Sequence, residues 1–150
     1  MIFNEHKVKK TYSLKLLYRG SHDGYKPSVF HSLCDNQGPT ITVIRTKKNE
    51  IIGGYNPTSW DKTLESYTHT PYSFLFAVKS SGNVVSFCRK PATAVRHDPT
   101  YGPAFGRDLV LFGSFTCPKN YTFQDAYDKP IRDSMEMFAV EEIEVFQVTF

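Results

Sequence analysis

The stretch Thr40-Ile41-Thr42-Val43-Ile44-Arg45 decides the fold class of this chain. Polar and apolar side chains alternate along it as far as Ile44, which is the pattern of a β-strand with one face buried. The polar residues Lys47-Lys48-Asn49 then separate it from Ile51-Ile52, and asparagine tolerates the positive φ that a tight turn needs. This part of the sequence therefore predicts an antiparallel hairpin with a solvent-exposed tip.

Similar β-like runs recur along the chain, and most of them are rich in β-branched and aromatic residues. They lie near Gly, Pro, Asn or Asp, which is typical of antiparallel strands. The turn Ser80-Ser81-Gly82-Asn83 predicts a second hairpin tip between two of these runs. The pattern predicts a mainly β domain in two layers, with strands at residues 13–19, 40–46, 50–55, 73–79, 84–89, 109–112 and 143–150.

One helix is predicted to begin at Pro27, because proline suits the first helical turn. The apolar residues after it have helical spacing and form one stripe, which Asn36-Gln37-Gly38-Pro39 ends. The members of the stripe are Val29, Phe30, Leu33 and Cys34. A second helical stretch is predicted over residues 131–138, after Pro130, and residues 61–72 and 117–129 are predicted to be loops.

The length of 150 residues fits one domain, and the 40% of hydrophobic residues suffices for a core. The longest apolar run is Phe74–Val78, far shorter than the ~20 residues of a membrane-spanning helix. The first residues lack the apolar stretch of a secretory signal. Three cysteines without a Cys-x-x-Cys pair argue against a disulfide framework or a zinc ribbon. We therefore expect an intracellular, cytoplasmic protein without membrane insertion.

The net charge of +3 is too small to indicate a nucleic-acid partner, but its distribution is uneven. Residues 1–20 carry +4 and residues 133–150 carry −5. One interpretation is that the two ends lie beside each other and attract, and the other is a steering surface for a charged partner. The basic patches at Lys7, Lys9, Lys10 and Lys47-Lys48 lack the aromatic rings that single-strand binders use. We therefore expect no nucleic-acid partner.

His31 and Cys34 lie three residues apart on the predicted helix and therefore share a face. A thiolate–imidazole pair of this kind would suit nucleophilic catalysis or half of a zinc site. The alternative is that Cys34 is a small core residue and that His31 bonds to nearby backbone. The enzymatic interpretation is a small hydrolase or redox enzyme that uses His31 and Cys34 with the acidic residues near Asp23.

The glycine-rich segments do not match a phosphate-binding loop. Gly53-Gly54 and Gly102-Pro103-Ala104-Phe105-Gly106 fit neither the dinucleotide fingerprint nor the Walker pattern, and they are predicted to permit tight turns or close backbone approach. The acidic residues Glu141, Glu142 and Glu144 lack the spacing of a calcium loop. The sequence therefore predicts no metal site, no cofactor and no catalytic residue.

The opening of the TLDc domain resembles two ordered segments of this chain, Leu16-Leu17-Tyr18-Arg19-Gly20-Ser21-His22-Asp23-Gly24 and Phe30-His31-x-x-Cys34-Asp35-Asn36-x-Gly38-Pro39-Thr40-Ile41-Thr42-Val43-Ile44. The likeness covers residues 12–150, and its later landmarks are Gly53-Gly54-Tyr55 with Trp60, Ser73-Phe74-Leu75-Phe76, Gly102-Pro103-x-Phe105-Gly106-x-Asp108-Leu109 and Glu141-Glu142-Ile143-Glu144-Val145-Phe146-Gln147. The last landmark and Lys129-Pro130-Ile131-Arg132 are most similar to the expanded subset often found behind BTB domains in lower eukaryotes.

The resemblance implies a sandwich of two antiparallel sheets flanked by a few short helices. It also implies an interaction module without catalytic activity, because TLDc proteins are linked to oxidative-stress resistance and several bind the vacuolar proton pump, the V-ATPase. The expected partners are V-ATPase subunits on the cytosolic face of acidic organelles, and the oligomeric state stays open. The candidate binding residues are the polar positions of the motifs, namely Asp23, His31, Asp35, Asp108, Glu142 and Glu144.

Overall fold

The predicted hairpin lies at the centre of the main sheet in the computed structural model, which describes residues 12–150. Strands β2 (Thr40–Thr46) and β3 (Ile51–Asn56) pair antiparallel, with Ile44 opposite Ile52. Asn49 adopts a φ of 63° in the turn, and its backbone N–H donates to the carbonyl oxygen of Thr46. The turn thus fixes the register of the hairpin.

Four more strands extend this hairpin into a six-stranded antiparallel sheet, and they are β1 (Ser13–Arg19), β5 (Phe74–Val78), β6 (Val84–Phe87) and β10 (Val140–Thr149). The strand order is β1-β10-β2-β3-β5-β6. Strand β10 therefore lies between β1 and β2, with Ser13 opposite Thr149. The two ends of the described chain lie side by side at one end of the sheet.

Shorter elements form the second layer and the helices, and they are α1 (Gly20–Asp23), α2 (Pro27–Cys34), β4 (Tyr67–Thr68), a 3-10 helix (Pro91–Thr93), β7 (Val95–Arg96), β8 (Tyr101–Phe105) and β9 (Leu109–Phe112). Strand β4 pairs with β7 and strand β8 pairs with β9, both antiparallel. A bridge between Val110 and Tyr121 adds a loop segment beside β9. Within residues 12–150, no helix is long and apolar enough to cross a membrane.

The main core lies between one face of the six-stranded sheet and the shorter elements. Trp60 is fully buried in it, with its ring centroid 5.6 Å from that of Phe30 in α2 and 5.4 Å from that of Phe105 in β8. The indole N–H donates to Thr40 Oγ1 at 2.9 Å, so the one polar group of this large side chain is satisfied. Trp60 therefore joins the sheet, α2 and the second layer in one cluster.

Two adjacent glycines allow side chains to pack closely on both faces of β3. A Cβ on Gly54 would lie 2.7 Å from the Phe105 ring in the core. A Cβ on Gly53, on the other face, would collide with the carbonyl oxygen of Thr42 and the ring of Phe76. The close backbone approach predicted for this glycine pair is therefore confirmed.

The mainly β fold with antiparallel sheets and a few short helices is confirmed. The strands predicted at 13–19, 40–46 and 109–112 have the observed bounds. The predicted helix begins at Pro27 and ends at Cys34, before the stop expected at Asn36. The other predicted strands exist with ends shifted by one to three residues. The interpretation that the oppositely charged ends lie together is confirmed for β1 and β10, whereas Lys7, Lys9 and Lys10 lie outside the described residues.

The helix predicted over residues 131–138 is wrong, because a buried guanidinium takes the backbone groups that a helix would use. Arg132 Nη1 donates to the carbonyl oxygens of Ser134 and Glu136, at 3.2 and 2.8 Å. The N–H and the C=O of Phe138 bond instead to the backbone of Asn120. These tertiary hydrogen bonds override the local helical pattern.

Three strands of the second layer, β4, β7 and β8, were not predicted. Strand β4 lies inside residues 61–72, which were predicted to be a loop, and β8 contains Gly102 and Pro103. Both residue types are rare in strand interiors, so local pattern argues against β8. The Gly102 backbone is needed because a Cβ there would collide with the ring of Phe115.

We expect Gly53→Ala to lower the free energy of unfolding by about 1–3 kcal/mol, because the added methyl group overpacks both Phe76 and the β2 backbone. Urea unfolding followed by circular dichroism measures this change. Ser81→Ala, at the exposed tip between β5 and β6, is the control and should stay within about 0.5 kcal/mol of the parent chain. Equal unfolding midpoints for the two variants would contradict the packing described for β3.

Candidate functional site

The predicted site residues fall in three places in the structure. Three carboxylates converge where α1 packs against β10, namely those of Asp23, Glu142 and Glu144. His31 and Asp35 contact each other at the end of α2, and Asp108 lies apart from both groups in the turn between β8 and β9. The structure therefore forms two groups of candidate residues, and Asp108 lies apart from both.

We call the first place the α1 corner, and its residues are Leu16, Arg19, His22, Asp23, Glu142 and Glu144. The backbone N–H of Arg19 donates to Asp23 Oδ2 at 3.0 Å, and His22 Nδ1 lies 2.8 Å from Asp23 Oδ1. The hydrogen bond from the Arg19 backbone, followed by that from His22, holds the pKa of Asp23 below its ordinary value. Asp23 is therefore a fixed negative charge at neutral pH.

Glu142 is held by backbone in the same way. Its Oε1 accepts hydrogen bonds from the backbone N–H groups of Ser21, at 3.1 Å, and Ile143, at 3.0 Å. Partial burial raises the pKa of Glu142, but the bonds from Ser21 and Ile143 and the charge of Arg19 outweigh it, so the pKa lies below its ordinary value. The corner thus holds a second ionised carboxylate in a set orientation.

Arg19 and Glu144 connect the first strand to the last across this corner. The Nη2 and Nε atoms of Arg19 donate to Glu144 Oε2 at 2.6 and 2.9 Å. The two side chains are 46% and 29% exposed, so the pair stabilises the fold by only ~0–1 kcal/mol. Beside it lies a depression of about 360 Å³ lined by Leu16, Arg19, His22 and Asp23 with their neighbours. The corner therefore offers fixed charges of both signs next to an apolar side chain.

His31 is a buried link between α2 and the segment before β8. Its Nδ1 lies 2.8 Å from Asp35 Oδ1, and its Nε2 lies 2.9 Å and 2.7 Å from the carbonyl oxygens of Asp98 and Tyr101. Both ring nitrogens are therefore engaged by neighbouring groups. Asp35 Oδ2 also accepts the backbone N–H of Lys62, at 2.8 Å. The pair therefore fixes two loops against the helix.

Cys34 does not form the nucleophilic pair with His31. The thiol is fully buried in the main core, and burial raises its pKa far above the ordinary value. Both ring nitrogens of His31 face other acceptors. The thiolate is therefore not available at neutral pH, and the geometry disfavours the thiol enzyme that the sequence left open.

The buried carboxylate of Asp108 holds the loop at residues 125–127 by hydrogen bonds. Its two oxygens accept the backbone N–H groups of Asp125, Ala126 and Tyr127, at 2.8, 2.9 and 3.0 Å. Burial raises the pKa of Asp108, and these three hydrogen bonds oppose the rise. The side chain is 1% exposed, so a direct contact with a partner would first have to break this arrangement. Binding roles for Asp108, His31 and Asp35 stay predictions.

Sequence reasoning missed several members of the site. It named the carboxylates of the α1 corner but not Arg19 or His22, although Arg19 belongs to the positive segment opposite the acidic end. It also missed Arg132, whose buried Nε lies 3.1 Å from Glu50 Oε1. Its carboxylate partner Glu50 is 82 residues away in sequence, so no local pattern indicates that Arg132 is buried in an ion pair. Among residues 12–150, no group of three or more His, Cys, Asp or Glu side chains could hold a metal ion.

Native-state alkylation should separate the cysteines. We expect iodoacetamide at neutral pH to modify Cys117, which is exposed, while Cys34 stays unmodified because it is buried and protonated. Peptide mapping by mass spectrometry measures both sites in one sample, and the same reaction in urea is the control in which both react. Native modification of Cys34 as fast as that of Cys117 would restore the thiol enzyme interpretation.

Asp108→Ala should destabilise the protein by about 2–4 kcal/mol, because it leaves three buried backbone N–H groups without an acceptor. Asp133→Ala is the matched control, since the Asp133 side chain is 95% exposed and contacts only Lys79 among the ion pairs of the described chain. It should stay within about 0.5 kcal/mol of the parent. Chemical unfolding measures both, and a mild effect of Asp108→Ala would show that the loop does not depend on this carboxylate.

Comparison with known proteins places the chain in a family. The family model of the TLDc domain matches residues 1–149. The chain is also similar to Interferon-induced protein 44 of Homo sapiens, with 45% identity over 70 residues, and to Interferon-induced protein 44 of Pan troglodytes, with 39% identity over 70 residues. Each match covers 45% of this chain, which spans only 14% of the length of these relatives. Membership of the BTB-linked subset stays a prediction. Because the family model covers nearly every residue, this protein belongs to the TLDc domain family.

Proposed function

We propose that this TLDc protein is a non-enzymatic interaction module that docks onto the V-ATPase and regulates it. The docking takes place on the cytosolic face of acidic organelles, and protection against oxidative stress follows from it. The observation that carries the proposal is the TLDc match over residues 1–149, because proteins of this family are linked to both roles.

The α1 corner supports docking because its charges are fixed before any partner arrives. Asp23 and Glu142 are held by backbone N–H groups, and Arg19 is held by Glu144. Groups that are already oriented lose little conformational freedom on binding. Charged groups at the rim of an interface chiefly set the association rate and the choice of partner. Leu16, which is 40% exposed, adds apolar area beside them.

The buried chemistry of α2 favours binding over a reaction. The ring nitrogens of His31 bond to Asp35 and to two carbonyl oxygens, and the Cys34 thiol is protonated in the core. These residues hold the scaffold in shape, and the groups at the α1 corner are presented on it. A rigid scaffold with an oriented surface suits a docking module.

Regulation by docking works through differential affinity. A module that binds one assembly state of the pump more tightly than another shifts the population toward that state. At saturation, the equilibrium constant between the two assembly states changes by the ratio of the two affinities. A module that binds both states equally therefore changes nothing. The proposal therefore requires that pump activity or assembly change with the concentration of this chain.

The test uses the full chain and detergent-solubilised V-ATPase. We expect the immobilised chain to retain pump subunits and the added chain to change the ATPase rate or the amount of the soluble sector released. Leu16→Glu should weaken retention by about tenfold, as expected when an apolar contact at an interface is replaced by a charge. The matched control is Val78→Glu, an apolar side chain of similar exposure on β5.

Failure to retain any subunit, with no change in ATPase rate at saturating chain, would overturn pump docking. Equal retention by the two variants would remove the α1 corner from the interface while leaving the proposed partner intact. Thermal unfolding of both variants must first match the parent chain, so that a loss of retention reports on binding.

A further inference from the structure

The second layer carries a row of aromatic rings on its outer side. Leu111 of β9 points into the core, so Phe112, the next residue, points away from it. Tyr101 lies opposite Phe112 in the β8–β9 ladder, and Tyr121 bridges to Val110 on the same side. We call this surface the arginine–aromatic face, and its residues are Tyr67, Arg96, Tyr101, Arg107, Phe112, Tyr121 and Phe123.

The rings and the arginine contact one another. The ring centroids of Tyr101 and Phe112 are 5.3 Å apart, and those of Tyr121 and Phe123 are 5.0 Å apart. The Cζ atom of Arg96 lies 4.5 Å from the centroid of Tyr101 and 5.8 Å from that of Tyr67. Burial raises the pKa of Tyr121, with a further rise from Tyr101 and opposing effects of Arg96 and Arg107. The bridge between Tyr121 and Val110 places the Tyr121–Phe123 pair beside β9, the strand that carries Phe112, so the two ring pairs lie on neighbouring segments.

Two guanidinium groups lie against these rings, and that of Arg96, at 4.5 Å from the Tyr101 centroid, is the closer of the two. The carboxylate nearest to Arg96 is that of Asp98, whose Oδ2 is 3.8 Å from Nη2, which is too long for a hydrogen bond. Arg107 is exposed, and its Cζ lies 5.8 Å from the Phe123 centroid. A guanidinium stacked on a ring still presents N–H donors in the geometry that a carboxylate accepts.

We propose that the arginine–aromatic face binds an acidic peptide segment of another protein, in which Asp or Glu residues are flanked by apolar side chains. Tyrosine and arginine are the residue types that carry most binding energy at protein interfaces. Exposed aromatic rings side by side are unusual on a surface that stays in water. Arg96 and Arg107 supply two positive charges, and Asp98 supplies one negative charge. Asp125, the acidic residue near Arg107, is paired with Lys90 at 2.7 Å. The charge of the face therefore complements a negative segment.

A nucleic acid suits this face less well. The ring of Tyr101 is covered by Arg96 on a face and contacts Phe112 at an interplanar angle of 71°, so it does not offer a free stacking platform. A nucleic-acid strand also needs a track of several cations along its phosphates. The cations of the face are Arg96 and Arg107, which is fewer than such a track requires.

This inference does not depend on pump docking, because the face is built from β4, β7, β8 and β9, whereas the α1 corner is built on β1 and β10. The two surfaces can be tested separately. Loss of peptide binding would leave the pump experiment unaffected, and the reverse also holds.

The test is selection of a displayed library of random peptides on the immobilised full chain. We expect the parent chain to enrich peptides that carry Asp or Glu next to Leu, Phe or Tyr, and Arg96→Glu to enrich Lys and Arg instead. Arg107→Glu, at a more exposed position, should weaken binding of an enriched acidic peptide by about tenfold in fluorescence anisotropy. Arg89→Glu, an exposed arginine outside the face, should leave that affinity unchanged.

Three results would overturn the proposal. One is selection that enriches no peptide class on the parent chain, and another is an acidic class whose binding Arg96→Glu and Arg107→Glu leave unchanged while their thermal unfolding matches the parent. The third is binding of a labelled oligothymidine that Arg96→Glu abolishes, which would assign the face to single-stranded nucleic acid.

Discussion

The insertion of β10 between β1 and β2 is the constraint on which the rest of the structure depends. The last strand of the described chain is a central strand, paired on both sides. The sheet is therefore complete only when residues more than a hundred positions apart have met, a non-local topology of the kind that folds slowly. The α1 corner is a direct product of this pairing, since Arg19 and Ser21 reach Glu144 and Glu142 only across it.

Buried polar side chains hold the second layer together, as the backbone hydrogen bonds between strands hold the main sheet together. The strands there are short, and long connections lie between them. Asp108 gathers three backbone N–H groups, His31 bonds two carbonyl oxygens, and Arg132 bonds two more. Each of these polar side chains is buried together with its hydrogen-bonding partners, which is the condition under which a buried polar group is tolerated. These hydrogen bonds hold the loops in one conformation. The aromatic rings on the outer side of the second layer are therefore supported by a rigid backbone.

Local physics explains which parts could be predicted from sequence. The β2–β3 hairpin and α2 carry their own signals, an alternating pattern with Asn49 and an apolar stripe after Pro27, and both formed as predicted. Strand β8 and the non-helical segment after Ile131 depend on Phe115, Trp60, Arg132 and Asn120, which lie elsewhere in the chain. The candidate carboxylates could be named from the sequence. Tertiary contacts alone determine that Asp23, Glu142 and Glu144 meet at the α1 corner, that Asp35 pairs with the buried His31, and that Asp108 holds a loop.

The pairing of Ser13 with Thr149 has a consequence for how such a domain is used. The points at which the chain enters and leaves the described sheet, at Ser13 and Thr149, are therefore separated by about one strand spacing. The described domain can therefore be inserted into a loop of a larger protein without separating the two segments that flank the insertion.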